Sequence, residues 1–177
     1  MDKKKIKTVF ERIANFKKNN DNLKAIFYYK GYLYCMNGYM AIKVKGNPDD
    51  ISFDSEVKTL DDTVERYFAN QKNENMTFDL PSIEQLKADI RERMYSIAKG
   101  KLFDAKYRIV DRAYVNAFFL LDAMMILPKA YGSWSGTIAT SHDKDGNING
   151  YYAKGVIHII SPEGEAIICP IKIPSVR

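Results

Sequence analysis

Two histidines, two cysteines and one acidic loop are the groups in this 177-residue chain that could carry covalent or metal chemistry. Their spacing assembles no working set. His142 and His158 lie too far apart to make a close metal-ligand pair, and neither stands near a nucleophile. Cys35 and Cys169 are too few for a disulfide framework or a zinc site, and both fall in strand-like segments where a cysteine serves as a small core residue. The run DKDGNINGYY, residues 143–152, has the acidic start of a calcium loop, but Ile148 stands at the turn-glycine position and Lys154 at the bidentate acid. A hairpin turn is the better reading. His158, alternating with Ile157 and Ile159, is expected to face solvent. With no phosphate-binding glycine loop, dinucleotide fingerprint or nucleophile elbow, the expectation is a non-enzymatic protein without cofactor or metal.

The elements that must position any binding surface follow from periodicity. Ile6, Val9, Phe10, Ile13 and Phe16 form one side of a helix, whose opposite side carries Lys4, Lys7, Glu11, Asn15 and Lys18 with Arg12 on the flank. Strands are expected at 24–29, 32–36 and 39–45, punctuated by Lys30-Gly31 and Asn37-Gly38, the latter a type I′ turn signal. Residues 47–57 read as loop, and 59–72 and 82–99 as helices, the second with the stripe Ile83, Leu86, Ile90, Met94 and Ile97. A strand at 103–110 leads through Asp111, a candidate cap, into a helix over 112–127 that is apolar nearly all round and ends at Pro128. Such a helix must be buried on more than one side. Strands at 136–141, 154–161 and 165–173 complete an α+β chain read as one domain.

The net charge of +5 is unevenly spread. Residues 1–46 carry 11 basic and 3 acidic groups, residues 47–100 carry 7 and 12, and residues 101–177 carry 9 and 7. The middle is thus an acidic insertion between two halves that repeat one plan, a helix followed by three strands. No apolar run reaches the roughly 20 residues of a membrane span, and the lysine-rich start lacks the apolar stretch of a secretory signal, so a cytoplasmic protein is expected.

Three segments carry a resemblance. YLYCMNGYMAIKV, residues 32–44, resembles the hairpin of bacterial-type DNA polymerase sliding clamps, whose motif is T-D-G-H-R-L-A. Met36, Asn37, Gly38 and Tyr39 take its first four places, and the family arginine falls on Met40. AIICPIKI, residues 166–173, is similar to the closing clamp strand ending M-P-M-R-L, and YRIVDRAYVNAFFLLDAMMIL, residues 107–127, to the strand and helix that open a second unit. The resemblance implies a DNA-clamp-like single domain of two (β)αβββ units with antiparallel sheets and paired helices, plus a helical insertion at about 47–100. A full bacterial clamp chain has three such domains, and residues 47–100 have no clamp counterpart. Single-domain proteins of this kind are familiar in bacteriophage and prophage genomes.

By the same resemblance, the paired helices would offer Lys4, Lys7, Arg12, Lys18 and Arg112 to the backbone of double-stranded DNA, without sequence preference. An apolar groove at Tyr39, Ile168, Pro170 and Ile171 would take short linear motifs of replication or repair proteins. Two functions are therefore weighed. One is a sliding-clamp-like accessory protein binding DNA or replication proteins, and the other a protein-interaction module, decoy or inhibitor that has lost DNA. A continuous positive face across both helices favours the first, and insertion helices covering that face favour the second. A monomer or dimer is expected rather than a six-copy ring.

Overall fold

An aspartate opens the first helix. In the computed structural model, which describes residues 2–17, 23–60, 65, 66, 68, 69, 76–98, 106–110, 113–134, 136–171, 173 and 174, the Asp2 carboxylate accepts from the amides of Lys4 and Lys5 at 3.1 and 3.2 Å. Helix α1, Lys3–Ala14, follows from this cap. Its apolar stripe, Ile6, Val9, Phe10 and Ile13, is buried as the spacing predicts.

Strands β1 (Ile26–Tyr29), β2 (Tyr32–Met36) and β3 (Met40–Lys45) form the expected antiparallel meander. The type I′ signature lies at the other turn, however. Lys30 and Gly31 both have positive φ, +46° and +81°, and connect the Tyr29–Tyr32 pair in two residues. At Asn37-Gly38 the glycine alone has positive φ, +76°. There Asn37 Oδ1 accepts from the amides of Tyr39 and Met40 at 3.1 and 3.0 Å, a side-chain turn that spares Asn37 a left-handed backbone. A side chain at Gly38 would meet nothing within 4 Å, so Gly38→Val tests the backbone alone. We expect it to lower stability by roughly 1 kcal/mol or more, read as the urea midpoint, and an unchanged midpoint would refute the turn assignment.

The remaining elements are β4 (Val57–Thr59), β5 (Met76–Phe78), α2 (Ile83–Ala98), β6 (Lys106–Val110), β7 (Ala113–Asn116), α3 (Ala117–Ile126), β8 (Tyr131–Trp134), β9 (Ile138–His142), β10 (Ile148–Ala153), β11 (Ile157–Ser161), β12 (Gly164–Ile168) and β13 (Ile173–Pro174). The large sheet has the order β4-β1-β2-β3-β12-β11-β8-β5. Its middle shows the repeat. In each half a helix precedes three sheet strands, α1 with β1-β2-β3 and α3 with β8-β11-β12, and the halves meet antiparallel along β3 and β12. The expectation of antiparallel sheets is corrected at one edge: the joined sheet is mixed, because β4 of the insertion pairs with β1 in parallel.

The second half departs from the expected boundaries in two places. Its first sheet strand is β8, YGSW, which lacks β-branched residues and carries a glycine because the Phe78 ring occupies the space where a Gly132 side chain would be. The strand expected at 136–141 corresponds to β9, which pairs with β10 in a separate three-stranded sheet with β13. Likewise, 113–116 is strand rather than the first turn of a helix. Asn116 caps α3 instead, its Oδ1 accepting from the Phe118 amide at 2.9 Å, while Asp111 lies outside the described residues.

The insertion is built into the sheet. Its two strands β4 and β5 are the edges of the sheet, and at three residues each they leave few ladder groups open to pairing with other chains. The helix expected over 59–72 is corrected at its start, since Thr59 belongs to β4, with residues 65, 66, 68 and 69 helical further on. Helix α2 begins at Ser82, whose hydroxyl accepts from the Gln85 amide, and it sends Leu86 and Ile90 into the core. It packs on α3, which also contacts α1, β3 and β12. That enclosure accounts for an α3 sequence apolar on every side.

Alternation on the strands separates two apolar clusters. Leu33, Cys35, Ile42, Ile159 and Ile168 face the helices in the main core, whereas Phe27, Tyr34, Ala41, Ile167 and Phe68 form a second cluster on the outer face.

Candidate protein-interaction groove

The hairpin that fixes Tyr39 also leaves this residue 46% exposed. Beside it stand Phe16, just past the end of α1, and Phe119, in the first turn of α3. The three rings contact one another, with centroid separations of 6.1 Å for Phe16–Tyr39, 5.8 Å for Phe16–Phe119 and 6.4 Å for Tyr39–Phe119. The fourth side is the closing segment after β12. Its path is set by two backbone bonds of 2.8 Å, from the Cys169 amide to the Tyr39 carbonyl and from the Ile171 amide to the Tyr114 carbonyl. Phe16, Tyr39, Asn116, Phe119, Cys169, Pro170 and Ile171 thus enclose a groove of about 390 Å³.

The groove is chemically quiet. None of its lining residues is an acid or a base at neutral pH, Asn116 spends its side-chain oxygen on the α3 cap, and burial pushes the Cys169 thiol up, keeping it protonated. Such a surface takes apolar side chains and does no chemistry on them.

Of the groove residues expected from sequence, the structure brings together Tyr39, Pro170 and Ile171. Ile168 is corrected. It is fully buried in the main core, because it alternates onto the helix face of β12 two residues before the chain leaves the sheet. Phe16 and Phe119 were legible as members of apolar helix faces without any sign that they border an opening. Cys169 is likewise only half-buried, on the groove wall, whereas Cys35 is a core residue whose thiol donates to the Phe10 carbonyl.

Several of the basic residues of α1 have a carboxylate beside them. Lys7 pairs with Asp54 at 3.0 Å, Lys3 with Asp50 at 3.3 Å and Lys5 with Asp2 at 3.6 Å. Two of those acids belong to the insertion. Arg12 is bonded to Asp122, a carboxylate 3% exposed in the middle of α3, so the contact between the two helices is itself an ion pair. Lys4 is exposed, while Lys18 and Arg112 lie outside the described residues.

Two other residues singled out from the sequence have defined partners. Asp143 Oδ1 accepts from the amides of Asp145 and Asn147, closing the β9–β10 hairpin. His158 is buried rather than solvent-facing, its Nε2 2.9 Å from Glu165 on the adjacent strand β12. Among the described residues no helix is long and apolar enough to cross a membrane. Comparison with protein-family models, with curated proteins and with solved structures returns no match.

Proposed function

We propose that this chain is a non-enzymatic, clamp-like protein-interaction module that captures short apolar motifs of replication or repair proteins in the groove around Tyr39. The observation that carries the reading is the groove itself: three mutually packed aromatic rings and a Pro-Ile wall enclose an uncharged opening of about 390 Å³. Aromatic anchors held rigidly in this way lose little entropy when a ligand side chain seats between them. The repeated helix-and-three-strand order and the paired α1 and α3 support the clamp-like part of the reading. DNA is not part of it. Helix α2 lies on α3, and the α1 cations Lys3, Lys5, Lys7 and Arg12 each have a carboxylate partner with which a duplex phosphate would compete.

Selection of a random peptide phage library on the immobilised chain tests this. It should enrich sequences with closely spaced apolar or aromatic residues, and their synthetic versions should lose at least about tenfold in affinity on Tyr39→Ser or Ile171→Asp. Enriched peptides indifferent to both changes would contradict the assignment.

A further inference from the structure

The outer face of the sheet presents a different arrangement, in which a piece of the insertion sits like a bound ligand. Phe68, 1% exposed, lies in the cluster with Phe27 of β1, Tyr34 of β2, Ala41 of β3 and Ile167 of β12. Its ring meets that of Tyr34 edge-on at 6.0 Å, and the Lys43 ammonium stands 5.0 Å from its centroid. Three residues earlier, on the same side of a helical turn, the Glu65 carboxylate accepts from the Tyr34 hydroxyl at 2.5 Å and lies 3.8 Å from Lys43 Nζ.

We propose that this seat is a second docking surface, fitted to a helical turn of a partner protein bearing an acidic residue three positions before an aromatic one, and that Glu65 and Phe68 hold it self-occupied. This surface lies on the opposite side of the sheet from the groove and does not depend on it. Three observations favour an exchangeable occupant over a fixed core element. The seat's Phe27, Tyr34, Ala41, Lys43 and Ile167 all belong to sheet strands outside the insertion. Lys43 keeps a carboxylate when Glu65 leaves, because Glu165 Oε1 stands 3.3 Å from its ammonium on the paired strand β12. Glu65 is 40% exposed at its side chain, so the recognised unit reduces to one buried ring and one accessible carboxylate, the size of a short linear motif. The Tyr34 hydroxyl, pushed up by burial and by Glu65, stays protonated as the donor that reads the acid.

The test uses the full chain and a fluorescein-labelled synthetic peptide of residues 62–72 as the probe. Phe68→Ala vacates the ring site and should bind the peptide at least about tenfold more tightly than the unaltered chain, while Glu65→Gln, which keeps the ring, should raise binding by about threefold. The same peptide with its own Phe68→Ala change should not bind. Equal binding to all three proteins, or no binding to a folded Phe68→Ala chain, would overturn the proposal. Loss of cooperative melting in Phe68→Ala would overturn it equally, since it would make Phe68 an obligatory part of the core.

Discussion

Alanine at position 164 should cost the fold about 3 kcal/mol, a large share of the stability of an ordinary domain. Gly164 begins β12 opposite Val44 of β3, on the seam where the two halves of the sheet join. A Cβ there would lie 2.1 Å from the Lys43 carbonyl oxygen and 2.9 Å from Val44 Cα. Both are backbone atoms, so no rotamer change relieves the clash, and the strands must part. The neighbouring bond from the Lys45 amide to the Glu163 carbonyl, 2.9 Å, would strain with them. Urea denaturation of Gly164→Ala reads the effect directly, and a midpoint within error of the unaltered chain would show that the seam is not tightly closed.

Removing Arg12 should have a comparable effect for an electrostatic reason. Its guanidinium is half exposed, but Asp122 is buried, so Arg12→Met leaves a carboxylate in the interior without its counter-charge. Breaking such a pair from one side costs roughly 3 kcal/mol, whereas replacing both partners with apolar groups is often close to neutral. The double change Arg12→Met with Asp122→Leu should therefore recover most of the loss. The single variant should also be sensitive to pH. An unpaired buried aspartate resists ionisation in the native state, while its unfolded counterpart titrates near about 4. Stability therefore falls as pH rises above that value, and the deficit of Arg12→Met should shrink in acid. A deficit equal at pH 5 and pH 8 would contradict the buried ion pair.

These two sites illustrate what the sequence could and could not disclose. Local patterns were readable: the stripe of α1, the β1–β3 meander, the Asp143 hairpin and the Ser82 start of α2 each depend on residues a few positions apart. The ion pairs that engage α1 were not, since Lys7 and Asp54 are 47 residues apart and Arg12 and Asp122 are 110. Short strands were missed for a related reason. β4, β5 and β8 have three or four residues each and take their conformation from the strand beside them rather than from their own composition. At the groove, the resemblance led to Tyr39, Pro170 and Ile171, while alternation on β12 sends Ile168 inward. Phe16 and Phe119 look like any other core aromatic until the closing segment and the hairpin place an opening beside them. The apolarity of α3 did report its enclosure, and the structure supplies the cover in α2.

The proposed function places this chain's partners in the groove and not on the face of α1. Amide chemical shifts of the isotopically labelled chain, followed during titration with a selected peptide and separately with a duplex of about 20 base pairs at low salt, test it most directly. The peptide should shift Phe16, Tyr39, Phe119 and Ile171, and the duplex should leave Lys3–Ala14 unmoved. Duplex-induced shifts along α1 that vanish as salt is raised, together with a groove indifferent to peptide, would contradict it.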